Sequence, residues 1–380
     1  MARLGDVCMF QSGGTPSRKN SEYFNGNIPW VTTTALNGGT ISLENANEWI
    51  TLKAIEESAA KLVPAHSILV GTRVGVGKVA INLVPMSTSQ DIISLTGIDQ
   101  NQWNLEFLCK FISSKSAYLN SQARGATIKG IKIETLAELE LPSYSIPEQH
   151  LISSAFNSLE KSISLRKQQL AKLDELVKSR FIEMFGDYDL SRAQTDWKAI
   201  SEIGKVVSGA TPKTNAEEYW DGEYRWITPA ELSADSGYIY DSIRKLTKAG
   251  VDSCSLQEMP IDTVILSSRA PIGKVAIAGN TFYCNQGFKN IICNHEILPR
   301  YLYTVLLLNT EYLNSLGRGA TFKEISKSIV ESIRIPVPSV ELQKQFAAFV
   351  EQIDKSKFEI QKSIEKLETL KKALMQKYFG

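Results

Sequence analysis

The sequence predicts an α+β protein built from two tandem-repeated globular α/β parts, each followed by one long α-helix. Three observations predict it: a repeat with a period near 195 residues, short β-branched runs between turn residues in the first part of each copy, and a heptad pattern without Gly or Pro in the second part. The 380 residues are 43% hydrophobic and 22% charged, as in ordinary globular proteins. No apolar run approaches the roughly 20 residues that cross a bilayer, so we expect no membrane span.

The repeat keeps its order along the chain. The segment Ser12 to Pro16 (SGGTP) returns 196 positions later as Ser208 to Pro212 (SGATP), and the segment GKVAI that starts at Gly77 returns at Gly273. After a two-residue slip the offset becomes 194, and the RGAT segment at Arg124 returns at Arg318. A period near 195 is too long for one solenoid unit, so the chain is two copies of one compound module.

The first part of each copy is expected to be a compact α+β domain. Runs such as Ser67 to Val70 and Thr263 to Leu266 are short, apolar and β-branched, and Gly, Asn and Pro turns bound them. One helix is expected near Leu105 to Ser113, and its counterpart near Tyr301 to Leu308.

The second part of each copy predicts a long helix. Pro147 to Met184 and Glu341 to Tyr378 contain no Gly or Pro after their opening residues, and their apolar residues recur at alternating spacings of four and three. These heptad positions are Ile152, Phe156, Leu159, Ile163, Leu170, Leu173, Val177 and Met184 in the first helix, and Phe346, Val350, Ile353, Ile360, Ile364, Leu367 and Leu374 in the second. Because the first helix leads directly into the second domain, we expect the second helix to run back, forming an antiparallel coiled coil with pseudo-twofold symmetry.

The sequence lacks the motifs that predict an enzyme. Gly71 to Lys78 resembles a phosphate loop, but its spacing is off by one residue and Val79 stands where a Mg²⁺-binding hydroxyl is needed. None of the three histidines has a counterpart in the other copy, which excludes a repeated active site based on His. The five cysteines are an odd number without a Cys-x-x-Cys pair, so we expect no disulfides, no structural zinc and a cytoplasmic location, with no secretory signal at the N-terminus.

The net charge of +1 does not by itself predict a nucleic-acid partner. Cations nevertheless recur at matched positions beside Gly, Ser or Thr, where they suit contacts with phosphate groups. The alternative, that they cap helices or pair with surface carboxylates, stays open. The matched cations are Arg73, Lys78, Arg124 and Lys129 in the first copy, and Arg269, Lys274, Arg318 and Lys323 in the second. The matched Trp30 and Trp226 are expected in the core rather than stacked on bases.

This arrangement resembles the specificity (S) subunit of type I restriction-modification systems over essentially the whole chain. The resemblance rests on the opening Gly5 to Pro16, the Trp-x-Thr strand at Trp30, the Arg-Gly-Ala-Thr turn at Arg124 and the Pro-Glu-Gln helix start at Pro147. The second copy repeats the first three motifs but has Val340 to Gln343 (VELQ) at the helix start, where it departs from the pattern. The resemblance implies two target recognition domains, each reading one half of a bipartite asymmetric DNA target.

Further expectations follow from the resemblance. The domains would be residues 1–145 (domain 1) and 187–338 with a short linker at 187–196 (domain 2), and the helical regions 146–186 and 339–380 would form the coiled coil. The chain would be a non-catalytic subunit without its own cofactor. It would bind double-stranded DNA, two methyltransferase (M) subunits and, in the full complex, restriction (R) subunits, and the partners would bind the methyl donor and ATP. The alternative is a structural adaptor whose duplicated domains grip only protein partners.

The repeat also suggests which residues would read bases. Positions identical in both copies should serve the fold or contact phosphates, whereas divergent loops at equivalent places should read bases. The divergent stretches are Asn37 to Asn47 against Ser233 to Ile243, and Asn82 to Ser89 against Ala278 to Asn285. The candidate base-reading residues in or beside these stretches and the following strand are Asn82, Ser87, Ser89, Gln90, Arg244, Asn280, Asn285 and Gln286.

Overall fold

The computed structural model describes residues 2–125, 129–186, 188–232, 237–254, 256–269, 271–319 and 323–380. Contacts divide the chain into two units, Met1–Lys167 with Gln361–Gly380 (unit 1) and Gln168–Ile360 (unit 2). Each unit holds one globular domain and parts of both long helices. Among the described residues, no helix is both long enough and apolar enough to cross a membrane.

Domain 1 contains two mixed sheets. A five-stranded sheet has the order β1-β9-β6-β7-β3, and a four-stranded sheet has the order β4-β2-β8-β5, with β3 parallel to β7 and β2 parallel to β8. The strands are β1 (Met9–Ser12), β2 (Phe24–Val31), β3 (Thr40–Ile41), β4 (Glu48–Ile50), β5 (Leu62–Val63), β6 (Ile68–Gly71), β7 (Val79–Asn82), β8 (Met86–Thr88) and β9 (Ile92–Thr96). The helices are α1 (Leu4–Val7), α2 (Leu52–Glu57), α3 (Leu105–Ser114), α4 (Ser116–Gln122) and α5 (Ile133–Ala137), followed by the long α6 (Ile146–Phe185).

Domain 2 repeats this design. Its five-stranded sheet has the order β11-β18-β15-β16-β13, and smaller sheets have the orders β14-β12-β17 and β10-β19. The strands are β10 (Lys198–Ala199), β11 (Gly204–Ser208), β12 (Trp220–Ile227), β13 (Tyr238–Ile239), β14 (Arg244–Leu246), β15 (Val264–Leu266), β16 (Val275–Ala278), β17 (Tyr283–Cys284), β18 (Lys289–Cys293) and β19 (Arg334–Ile335). The helices are α7 (Ile200–Ile203), α8 (Lys248–Asp252), α9 (Pro299–Leu308), α10 (Thr310–Ser315), α11 (Lys327–Ser332) and the long α12 (Val340–Phe379).

The repeat extends to strand register and backbone conformation. Ile68 pairs with Leu95 in domain 1, as Val264 pairs with Ile291 in domain 2. The left-handed residues also match, since His66 has φ 61° and Asp262 has φ 67°. Each buried Trp donates its indole N–H to the carbonyl of the matched small residue at 3.1 Å, Trp30 to Gly14 and Trp226 to Ala210. The expectation that both Trp residues are core residues is confirmed.

Inside each unit the two long helices run antiparallel. In unit 1 the ring of Phe156, early in α6, stacks on that of Phe379, at the end of α12, with centroids 5.7 Å apart. In unit 2 Phe181, late in α6, meets Phe346, early in α12, at 5.4 Å. All the predicted heptad positions are buried or half-buried. The predicted antiparallel helix pair is therefore confirmed, and both helices lie within one residue of the predicted bounds.

A buried glutamine joins each domain to its helix. Gln149 accepts a hydrogen bond from the Asn104 amide at 2.9 Å and donates to the carbonyls of Gln102 and Tyr144. Gln343 makes the same three contacts in unit 2, to the Leu298 amide and the carbonyls of Glu296 and Pro338. Both side chains are buried. The second copy thus keeps the glutamine of the helix-start motif and its contacts, although its sequence departs from Pro-Glu-Gln.

Candidate nucleic-acid interface

The matched cations of domain 1 lie on two neighbouring loops. The β6–β7 loop closes through a hydrogen bond from the Gly77 amide to the Gly71 carbonyl at 3.0 Å, and Gly77 has the left-handed φ of 81° that this turn requires. The segment after α4 lies alongside it, because the Ile131 amide donates to the Thr72 carbonyl at 2.9 Å. Arg73, Lys78, Arg124 and Lys129 are all exposed on these loops. These four cations are therefore accessible to a ligand on one pair of loops.

Domain 2 has the same backbone but uses its cations differently. The Gly273 amide donates to the backbone carbonyl of Ser267 at 3.0 Å, and the Ile325 amide donates to the backbone carbonyl of Ser268 at 2.9 Å. Arg318 and Lys323 are exposed like their counterparts. Lys274, however, is half-buried and donates to the carbonyls of Pro229 and Leu232 at 3.2 and 2.6 Å.

Lys274 therefore binds carbonyls at the short 3-10 helix Pro229–Glu231, which is the helix-capping role of the alternative, and we do not retain it as a phosphate contact. Of the recurring RGAT segments, residues 126–127 and 320–321 lie outside the described residues.

Three of the candidate base-reading residues of domain 1 are buried. Asn82 has no exposed surface, accepts from the Ser67 amide at 2.8 Å and donates to the carbonyls of Pro64 and Val84. Ser87 and Ser89 lie on and just after the inner strand β8, with 0% and 4% exposure. A base cannot reach these side chains, so the structure corrects the prediction for all three. Gln90, the next residue, is exposed.

The candidates of domain 2 lie nearer the surface. Gln286 is exposed and hydrogen-bonds Thr211, while the half-buried Asn285 accepts from the Gly287 amide at 2.9 Å. Asn280 donates to the carbonyl of Tyr240 at 2.7 Å, which ties two loops together. Tyr240 and Ile243 are 61% and 85% exposed in one of the divergent stretches, whose residues 233–236 lie outside the described part of the chain.

An arginine stacks on the same aromatic position in each domain. Arg244 lies over the ring of Trp220 at 3.5 Å, and its position corresponds to Glu48 in domain 1. There Arg18 lies 5.5 Å from the ring of Phe24, the counterpart of Trp220, and pairs with Glu48 at 2.7 Å. Arg18 escaped the sequence prediction because its counterpart is Thr214, so no matched cation marked it.

An acidic residue lies beside the exposed cations on the two loops of domain 2, Arg269, Arg318 and Lys323, which we call the cation cluster of domain 2. Glu324 occupies the position of Gly130 in domain 1, and its carboxylate pairs with Arg269 at 3.0 Å and with the buried Lys289 at 3.2 Å. Burial by itself raises the pKa of Glu324, but hydrogen bonds from Lys289 and Arg269 outweigh it and hold the pKa below its ordinary value. In the sequence, Glu324 is marked only by a difference in charge from its counterpart Gly130, because the two positions are not identical.

The described residues also include potential metal ligands and free thiols. Among the described residues, no group of three or more His, Cys, Asp or Glu is placed to hold a metal ion. The five cysteines are unpaired, and burial raises the pKa of the Cys284 thiol to about 12, which keeps it protonated at neutral pH.

Comparison with known proteins identifies relatives of one kind. The sequence model described as the type I restriction modification DNA specificity domain matches residues 1–175 and 194–372. The MjaIX specificity subunit of Methanocaldococcus jannaschii is 40% identical over 210 residues, which cover 54% of this chain and 48% of that protein. The EcoR124I/EcoR124II specificity subunit of Escherichia coli is 26% identical over 231 residues, 57% of this chain and 55% of that protein. The matched segments thus span about half the length of these curated relatives.

Solved structures share the fold. The S subunit of a type I restriction-modification system from M. genitalium aligns with a TM-score of 0.59 and 16% identity, covering 100% of this chain and 95% of that one. A chain from a study of assembly and conformational transition of the type I R-M system aligns with a TM-score of 0.65 and 18% identity, covering 100% and 96%. At these identities the likeness concerns the fold: two domains of one kind with two long helices.

Proposed function

Because the chain belongs to the family of the type I restriction modification DNA specificity domain, we propose that it is a sequence-specific DNA-binding specificity subunit. It reads a bipartite, asymmetric duplex target, one half-site with each domain. The observation that carries the proposal is the duplicated loop pair, which presents exposed cations on the same backbone in both domains while the side chains around it differ. A common scaffold with different side chains is what reading two unlike half-sites requires.

The roles of the site residues follow from their exposure. Cations on the two loops would contact phosphates, which orient a protein on DNA without reading its sequence. These residues are Arg73, Lys78, Arg124, Lys129, Arg269, Arg318 and Lys323. Exposed or half-buried polar residues in or beside the divergent loops would read bases: Gln90, Arg244, Asn280, Asn285 and Gln286. Such local cations can bind DNA although the net charge of the chain is only +1.

The proposed division of labour places catalysis in other chains. The subunit itself is non-catalytic, and two methyltransferase subunits, joined by restriction subunits in the full complex, supply the chemistry together with their own cofactors. The helical regions 146–186 and 339–380 serve as the spacer between domains 1–145 and 187–338 and as the surface where methyltransferase subunits dock. Exposed apolar residues on α6, such as Leu151 at 72% exposure, support a docking role.

Selection of bound duplexes from a randomised library tests this function. The chain is co-purified with its cognate methyltransferase subunit, and enrichment of two short, unlike half-sites at a fixed gap is expected. Exchanging residues 1–145 for the corresponding domain of another specificity subunit should then change one half-site and leave the other unchanged. Intact complexes that enrich no sequence would contradict DNA reading and favour a protein-binding adaptor.

A further inference from the structure

The cation cluster of domain 2 contains a three-residue ion network that domain 1 lacks. Glu324 bridges Arg269, through Nε to Oε2 at 3.0 Å, and Lys289, through Nζ to Oε1 at 3.2 Å. The counterparts in domain 1 are Arg73, Gly130 and Ile93, so only the arginine is common to both copies. The surrounding backbone shares one pairing, because Gly130 bridges Arg124 as Glu324 bridges Arg318, and in domain 2 Glu324 also bridges Arg269. The network is therefore an addition to a shared scaffold.

Lys289 anchors the carboxylate from inside the domain. Its side chain is only 8% exposed, and its ammonium group also hydrogen-bonds the Ser268 hydroxyl at 3.3 Å and the Gln286 carbonyl at 3.4 Å. A buried ammonium group needs a counter-charge, so Lys289 and Glu324 hold each other in place. Glu324 in turn uses one carboxylate oxygen for Lys289 and the other for Arg269.

The contact engages one edge of the Arg269 guanidinium group. Glu324 binds at Nε, and no hydrogen bond from the terminal Nη1 and Nη2 atoms to a described residue is seen. The Arg269 side chain is 46% exposed, so its terminal fork is accessible. A guanidinium group held at its Nε edge presents the two terminal N–H groups as a pair, which matches two adjacent acceptor atoms on a ligand.

We propose that Glu324, anchored by Lys289, is a positioning residue that holds Arg269 ready for a bidentate contact with DNA. The inference rests on the DNA-reading function proposed above and assigns a task to one site within it. The acceptor pair is either two phosphate oxygens or the O6 and N7 atoms of a guanine. The counterparts of Glu324 and Lys289 in domain 1, Gly130 and Ile93, carry no charge, so the two domains would hold the shared arginine differently. Fixing the side chain beforehand lowers the conformational entropy that binding must remove.

Two variants separate positioning from simple electrostatics. Glu324→Gln removes one negative charge, so electrostatic attraction alone would tighten DNA binding. The double variant K289I/E324G installs the residues of domain 1 and leaves the net charge unchanged, so attraction alone would leave binding as it is. It also removes the buried lysine together with its partner, which avoids an uncompensated charge in the core. Positioning predicts that both variants weaken binding, by about 10-fold if one bidentate contact is lost.

The experiment measures binding of the co-purified complex to its selected duplex and to a randomised library. Arg269→Ala should weaken binding at least as much as Glu324→Gln, and R269A/E324Q should bind no worse than R269A alone. A guanine contact would relax preference at one position of one half-site, whereas a phosphate contact would weaken all sequences alike. Arg73→Ala in domain 1 is the matched control, and adding Glu324→Gln to it should be additive.

Other outcomes would overturn the proposal. Tighter binding by Glu324→Gln would mean that the carboxylate competes with DNA for Arg269. Additive effects of Arg269→Ala and Glu324→Gln would mean that the two residues act separately, and a fall in thermal stability with unchanged binding would mean a structural role alone. These outcomes differ from failure of the proposed function, in which the unmodified complex enriches no sequence at all.

Discussion

At the scale of single residues, burial separates side chains that look alike in the sequence. Asn82 and Gln90 are both amides close together in domain 1, but Asn82 is buried with its hydrogen bonds satisfied and Gln90 is exposed. The matched lysines differ in the same way. Lys78 is exposed, whereas Lys274 donates to two backbone carbonyls. Identity between copies therefore indicates a shared scaffold and does not by itself assign a shared contact.

Arg73→Ala should weaken binding to all DNA sequences alike. If the side chain contacts one phosphate, the slope of log affinity against log salt concentration should become shallower by about 0.9. Titration of the selected and a scrambled duplex at several salt concentrations measures this. A change of preference at a single base pair would contradict a phosphate contact by Arg73. Asn82→Ala is the control: it should lower the free energy of unfolding by about 1–3 kcal/mol and leave base preference unchanged.

At the scale of elements, polar contacts attach each domain to the helix pair. Gln149 and Gln343 tie the start of each long helix to the loop that precedes α3 or α9. In unit 1 the buried Lys110 of α3 pairs with Glu160 of α6, and Lys371 of α12 pairs with the same carboxylate at 2.7 Å. In unit 2 Arg300 of α9 pairs with Asp354 of α12 at 2.6 Å. Directional contacts of this kind define the orientation of a domain more narrowly than apolar packing does.

Gln149→Ala should lower the free energy of unfolding by about 1–3 kcal/mol, because it leaves a buried amide and two carbonyls without partners. Urea unfolding followed by circular dichroism measures the change. Gln343→Ala should cost about as much, since its three contacts are the same. Lys161→Ala, at an exposed position of the same helix, should change stability by less than about 0.5 kcal/mol. Equal effects at positions 149 and 161 would refute the anchoring role.

The Glu160 ion pairs should make stability depend on pH in acid. Burial alone raises the pKa of Glu160, but hydrogen bonds from Lys110 and Lys371 outweigh it, so the pKa lies below its ordinary value of 4.5. A pKa lower in the folded than in the unfolded state means that the stabilisation is present above the unfolded pKa and is lost as pH falls through the folded pKa. Glu160→Gln should therefore flatten the acid limb of stability against pH, measured by urea midpoints, whereas the exposed Glu175→Gln should not.

At the scale of the whole molecule, each unit is completed by the end of a long helix. Phe379 of α12 is buried in unit 1 against Phe107 and Phe156, with centroids at 5.3 and 5.7 Å. Phe185 of α6 is buried in unit 2 against Tyr301 and Phe346, at 4.9 and 5.5 Å. Residues far apart in the sequence thus close each core, and the matched Phe-Gly ends of the two copies perform the same task.

Phe379→Ala and Phe185→Ala should each destabilise their own unit. Truncation of a buried Phe costs about 3–5 kcal/mol, because transfer free energy is lost and a cavity is left. Hydrogen exchange resolved by peptide should accelerate mainly in unit 1 for Phe379→Ala and mainly in unit 2 for Phe185→Ala. Equal acceleration in both units for each variant would mean that the chain opens as one cooperative body.

The structural features that could be predicted from the sequence are those that local periodicity and the repeat indicate. The heptad spacing predicts both long helices to within one residue, and the helix at Leu105 and its counterpart lie where the apolar pattern places them. The VELQ segment departs from Pro-Glu-Gln, as the sequence shows, but it keeps a glutamine 194 residues after Gln149. Only the contacts of Gln343 identify the glutamine as the part that matters.

By itself, the sequence determined the duplication, the division of each copy into domain and helix, and the antiparallel pairing. The repeat, the heptad spacing and the order of the elements can all be read along the chain without knowing its tertiary contacts. The tertiary structure alone decided which side chains a ligand can reach and which charges meet. Glu324 pairs with Lys289, which is 35 residues away in the sequence, and with Arg269, which is 55 residues away. Asn82 is hydrogen-bonded to backbone groups of other segments. The physical reason is that burial and ion pairing depend on contacts between distant segments, which no local pattern encodes.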